Sequence, residues 1–235
     1  MFAVSALTLI SRPGIALTTV ILGINWLVVD LCYYGLSLNS VNLAGDIFTN
    51  FVLSAAVEVL MTLRETSLTS LPPLFQIPAV VLGMVGMDWL GRVSLLFLCQ
   101  MVGGVSCILA GILKPPAAVL TLSLVGKFSS SVVFLIVYLY TAEIYPTQLR
   151  GLGLALTATM ARIGGFIAPY IAGIGVSSSS TPFLIFGGSA LVGGLAAALL
   201  PETRGERLPE TVQDVEEIVL KRAKICWRKP QTTDL

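Results

Sequence analysis

VSLLFLCQMVGGVSCILAGIL, residues 93–113, carries no charged side chain and is long enough to cross a bilayer. The hydrocarbon core takes about 20 apolar residues. Lipid offers no partner to a free peptide group, so a run of this kind must be a helix. Five more runs read the same way: 14–36, 46–63, 118–140, 151–172 and 182–200. A shorter apolar piece, 74–87, lies between the second and the third. Breakers mark the connections at Ser37–Gly45, Pro115-Pro116, Tyr145-Pro146 and Ser177–Pro182. The pattern predicts an all-α, polytopic membrane protein.

Composition agrees. Hydrophobic residues make up 55% of the 235 and charged residues 11%, with mean hydropathy +0.90. Soluble domains carry about 25% charge. A net charge of +1 gives no bulk electrostatic case for nucleic acid. There is no His, and Cys32, Cys99, Cys107 and Cys226 form no CxxC, so they read as small apolar packing residues rather than metal ligands. No nucleophile–base pair stands out, which argues against an enzyme. A channel would need a repeated ring of polar pore-lining residues, and none is visible. No cofactor is implied.

Charge sets the expected orientation. With both termini cytoplasmic, the inner side receives Arg12, Arg92, Arg150 and the basic tail, and the outer side receives Lys114. The chain divides into a lead-in over 1–13, a membrane region over 14–200 and a tail over 201–235. In the tail, Val212, Val215, Ile218 and Val219 recur at helical spacing, with Glu210, Asp214, Glu216 and Glu217 before Lys221, Arg222 and Lys224. That polarity suits a short amphipathic helix. Membrane sequence follows Met1 almost at once, which suggests a partial copy of a longer protein.

Four strings occur in order: Tyr33-Tyr34-Gly35-Leu36-Ser37-Leu38-Asn39; Met87-Asp88-Trp89-Leu90-Gly91-Arg92; Tyr140-Thr141-Ala142-Glu143-Ile144-Tyr145-Pro146-Thr147 with Arg150-Gly151; and Leu200-Pro201-Glu202-Thr203-Arg204-Gly205. The set resembles the organic cation/anion/carnitine transporters (solute carrier family 22) of the major facilitator superfamily, over nearly the whole chain, aligned to the six-helix C-terminal half. The resemblance implies alternating access to a site near the bilayer midplane, of which this chain supplies one wall. It implies a plasma-membrane location, a small organic ion as substrate, and either an N-terminal half or a full-length homologue as protein partner. A non-transporting chain that modulates full-length relatives is the alternative.

Each string also has a physical reading. Asp88, Gly91 and Arg92 form a tight acid–base turn, Glu143 and Arg150 bracket Pro146, and Glu202 and Arg204 follow Pro201. Together they suggest a cytoplasmic gating network. The plain alternative is solvated ion pairs contributing about 0–1 kcal/mol each. Trp89 and Val93 stand where the family usually has basic residues, which should weaken the latch.

Asp30, Glu58, Lys127 and Arg162 fall inside predicted spans. A charge at the bilayer centre costs at least about 2.5–3.5 kcal/mol. Lys127 and Glu58 near span ends could snorkel, and Asp30 could approach the outer interface. Arg162 lies mid-span in MARIGGFIAP and cannot shed its proton, so it needs an anion from protein or substrate. Asp30 and Glu58 are its possible fixed partners. By the resemblance, this position is basic in anion and carnitine members and acidic in cation members, which implies anionic or zwitterionic substrates. Tyr33, Tyr34, Phe128, Phe134, Tyr138 and Phe166 are candidate pocket aromatics, with lipid-facing or helix-packing roles as the alternative. Arg162, Lys127, Phe128, Tyr138, Tyr34 and Asp30 form the expected substrate set.

By the resemblance, Ala55-Ala56-Val57-Glu58 should run directly into Ile77-Pro78-Ala79. Residues 59–76, VLMTLRETSLTSLPPLFQ, intervene. Arg64, Glu65 and Pro72-Pro73 would not sit comfortably in one bilayer helix. Two explanations stand: translated or alternatively spliced non-coding sequence, or a lineage-specific loop.

Overall fold

The computed structural model describes residues 13–43, 48–50, 52–54, 86–205, 209, 211 and 213–215. Five long helices lie within them: α1 (Pro13–Asn39), α2 (Arg92–Ile112), α3 (Pro116–Ile144), α4 (Arg150–Ile174) and α5 (Ser180–Ala197). All five are long and apolar enough to span a membrane. They correspond to five of the six predicted spans. Residues 48–50 and 52–54, inside the other predicted span, are also helical, as are 86–90. The interruption at 59–76, Glu58, Arg12, most of the 74–87 piece and the body of the tail helix lie outside the described residues.

Two expected breaks are present with shifted helix bounds, at the 3-10 turn before Leu43 and at residues 175–179. The chain stays helical through Ser37–Asn39 and tightens into a 3-10 turn over Ser40–Asn42. Ser37 satisfies its hydroxyl on the Tyr33 carbonyl at 2.8 Å, so it does not end the helix. Pro182 sits in the first turn of α5, where proline's missing N–H has no intrahelical partner to lose. The Pro115-Pro116 and Tyr145-Pro146 breaks stand, because Pro116 opens α3 and Tyr145 turns extended ahead of Pro146.

Helix α1 is the hub, packed against α4, α5 and α3, while α2 packs on α5 and α3. Small residues allow the close approaches. A Cβ at Gly164 of α4 would overlap the Leu27 carbonyl of α1. Between α2 and α5, a Cβ at Gly104 would sit 3.0 Å from the Gly187 carbonyl, and one at Gly187 would sit 2.8 Å from the Gly104 carbonyl. One core cluster gathers Trp26, Leu96, Ile136, Tyr140, Tyr145 and Leu200. A second gathers Leu31, Cys32, Leu36, Cys107, Phe183 and Phe186. Cys32, Cys99 and Cys107 are free thiols, consistent with packing roles. Large apolar side chains such as Leu17, Val20, Val102, Val192 and Leu195 remain exposed, as a surface meant for lipid or another helical partner requires.

Candidate functional site

Two groups of charges are built into the bundle, one at its middle and one at an end. Arg162 lies at the midpoint of α4 and is exposed. One and two turns on, Phe166 and Tyr170 continue the same exposed stripe, with ring centroids 5.6 Å apart. Behind the stripe, on α1, Asp30 is only 2% exposed. Its Oδ2 would lie 2.9 Å from a Cβ at Gly165, so the glycine makes room for the carboxyl. Among the described residues Oδ2 has no hydrogen-bond partner. The charge acting on it is that of Arg162. The carboxyl is thus enclosed at the contact between α1 and α4.

Lys127 is likewise buried, 3% exposed in mid-α3, so it does not snorkel. Its Nζ donates to Ser54 Oγ at 2.8 Å and sits 5.9 Å from the centroid of the Tyr33 ring. From there a row of rings runs across α1 and α3. Tyr33 meets Tyr34 at 5.2 Å and Phe134 at 5.8 Å. Phe134 meets Trp26 at 5.7 Å, and Trp26 meets Tyr138 at 5.2 Å. Tyr34 and Tyr138 keep exposed edges. Phe128 is exposed and outside this row, because neighbours on a helix point about 100° apart and Lys127 takes the inward direction. Phe134 holds the place expected of Phe128. Trp26 was missing from the expected set, although it lies two turns before Tyr33 and Tyr34 on one face of α1. Its indole donates to Thr141 Oγ1 at 3.0 Å.

At one end of the bundle the acid–base turns pair mainly with each other. The Arg92 guanidinium lies against Glu143, with Nε 3.3 Å from Oε2 as an ion pair and Nη2 donating to Oε1 at 3.4 Å. Glu202 accepts from the Arg92 amide at 2.7 Å and the Val93 amide at 3.1 Å. Its carboxylate therefore caps the N-terminus of α2, where the helix dipole favours an anion. Gly91, at φ 91°, turns the chain into that cap, and a Cβ there would sit 2.7 Å from Glu202 Oε2. Arg204 donates to the Trp89 carbonyl at 2.8 Å and Thr203 donates to Glu143 Oε2 at 2.8 Å. Tyr140 donates to the Pro201 carbonyl at 2.6 Å. Asp88 contributes a looser contact to Arg92 at 3.6 Å from an exposed position. Arg150 does not join: its Nε is buried with no partner among the described residues. Thr203 and Tyr140 were not anticipated, since hydroxyls carry no charge signal. Nearby, Tyr145 donates to Thr19 Oγ1 at 2.8 Å, and burial pushes its phenol above the ordinary value, partly offset by that bond.

A wall of rings and mid-bundle charges, closed at one end by paired turns, has relatives among known proteins. The family model described as Major Facilitator Superfamily matches residues 13–232. The chain is 37% identical over 228 residues to Solute carrier family 22 member 15 of Xenopus tropicalis, covering 92% of this chain and 39% of that protein. It is 32% identical over 228 residues to the Beta-alanine transporter of Drosophila melanogaster, covering 95% and 34%. It is 31% identical over 211 residues to Organic cation/carnitine transporter 2 of Homo sapiens, covering 89% and 35%. The chain thus spans roughly a third to two-fifths of the length of these relatives. With a family model matched over most of its length and solute carrier family 22 transporters as its relatives, this all-helical membrane chain belongs to the major facilitator superfamily.

Proposed function

We propose that the chain forms one wall of a transporter for small organic anions or zwitterions that works by alternating access across the plasma membrane, with both termini cytoplasmic. The observation that carries the sign of the substrate is Arg162: a permanent cation, mid-helix, exposed, with Phe166 and Tyr170 along the same stripe. An aromatic carboxylate would satisfy both features. Its charge pairs with the guanidinium at a depth where an uncompensated charge costs several kcal/mol, and its ring stacks on the exposed aromatics. Tyr34 and Tyr138 extend the wall, while Lys127 and Asp30 set its field from behind. The paired turns at the opposite level act as the inner latch. Rocking against a second helical unit must break their contacts in turn.

Relatives named for carnitine and β-alanine transport handle zwitterions by their names, which suits a site holding Arg162 and Asp30 together. The test is equilibrium binding of labelled benzoate to the purified chain, challenged with unlabelled benzoate or tetraethylammonium. Displacement by benzoate alone supports the proposal. Displacement by tetraethylammonium at equal concentration refutes the anion preference.

A further inference from the structure

Asp30 has a feature that anion binding to Arg162 does not explain. A carboxyl 2% exposed, with Oδ2 lacking a hydrogen-bond partner among the described residues, is costly to keep ionised. Helix packing gives it room rather than a donor: Oδ2 lies where a Cβ of Gly165 on α4 would crowd it, and Tyr34 lines the same gap with a ring carbon. Arg162 stands one turn away on α4 and is the cation acting on it. Among the described residues, α3 brings two charged groups: Lys127, already held by Ser54 and lying over Tyr33, and Glu143, engaged at the far end with Arg92. Helix α5 has no ionisable residue between Ser180 and Ala197, and α2 has only Arg92 and Cys107 with Cys99, the arginine engaged at the far end with Glu143.

We propose that Asp30 and Arg162 form an exchange pair in which one proton and one organic carboxylate bind together. The inference rests on the reading of Arg162 as the anion site. In the empty site the Asp30 carboxylate is the counter-charge of Arg162. An incoming carboxylate takes over that role from the exposed side of α4. Asp30, left without a cation and without a donor, takes one proton from the same medium. The site holds one positive and one negative charge before and after, so loading it adds no net charge to the membrane interior, where each uncompensated charge is expensive. Coupling follows, because neither ligand is well accommodated alone: the anion competes with ionised Asp30, and protonated Asp30 leaves Arg162 uncompensated.

The experiment uses the full chain in lipid nanodiscs with benzoate as the probe. Infrared difference spectra follow the carbonyl stretch of protonated carboxyl groups, and an indicator dye in weak buffer counts protons. Benzoate should raise a protonated-carboxyl band that Asp30→Asn removes, with one proton taken up for each benzoate bound. Affinity should fall about tenfold per pH unit above the Asp30 titration, and Asp30→Asn should flatten that dependence. Benzoate binding with neither band nor proton uptake overturns the pair while leaving the Arg162 site intact. Failure of benzoate to bind overturns the proposed function instead. The proton half is then decided without ligand: Arg162→Gln should raise the pH at which the Asp30 band forms, and an unmoved midpoint contradicts the pair.

Discussion

Arg92 and Arg162 are the same side chain in opposite circumstances. Arg92 sits at the bundle end with Glu143 against its guanidinium, Asp88 one turn away and Glu202 on its amide. Arg162 sits mid-helix, exposed, with the buried Asp30 carboxyl nearby, whose Oδ2 makes no hydrogen bond among the described residues. The end region is rich in partners, while among the described residues the middle region is short of them. Connected networks fix a conformation, and substitutions there act on stability. Under-satisfied charges hold the capacity to bind something else. The two regions should therefore separate in experiment, the end moving stability and the middle moving affinity.

The largest effect expected is Gly164→Val, which attacks the middle through packing. Its side chain would overlap the Leu27 carbonyl, a backbone atom with nowhere to go. A cost of about 3 kcal/mol or more follows, visible as loss of the monodisperse detergent-solubilised protein. A normal elution profile would mean that α1 and α4 are not held this closely. Next is Glu202→Ala, which strips the cap from two amides of α2. Losing two charge-assisted bonds should cost about 3 kcal/mol in thermal unfolding and leave benzoate affinity within about twofold. A fall in affinity at unchanged stability would erase the division between the regions. Glu143→Gln should cost about 1–2 kcal/mol, since an amide still accepts from Thr203 and Arg92 but no longer neutralises the guanidinium. Smallest is Thr203→Val, about 1 kcal/mol for one hydroxyl bond. If it matched Glu202→Ala, the carboxylate cap would not be what anchors this end.

Much of the fold was legible because bilayer physics is strict. Apolar length alone placed α1 to α5, and prolines placed two of their ends. The sites were legible only as residue types. Asp88, Arg92, Glu143, Glu202 and Arg204 are recognisable as one charged network, but the sequence does not say which acid meets which base, and it counts Arg150 among them. Packing decides it, because α3 and the chain after Leu200 converge on the start of α2. The middle was read in the same partial way. Lys127 and Asp30 were ambiguous between interface and interior, since a span's register in the bilayer is set by its neighbours. Phe128 was chosen for its place beside Lys127, yet helix rotation sends the two apart and puts Phe134 in the ring row. Trp26 carries no charge signal in the sequence, although it joins α1 to α3.

The central claim is that Arg162, the exposed cation of the middle region, reads the charge of the ligand. Its most direct measurement is titration of benzoate and of tetraethylammonium against the wild-type chain and Arg162→Asp, with thermal unfolding as the control for folding. The account predicts at least a ~100-fold loss of benzoate affinity, on the scale of a lost charged partner, a gain in tetraethylammonium binding and an unchanged unfolding temperature. The same preference for benzoate in both proteins would contradict it.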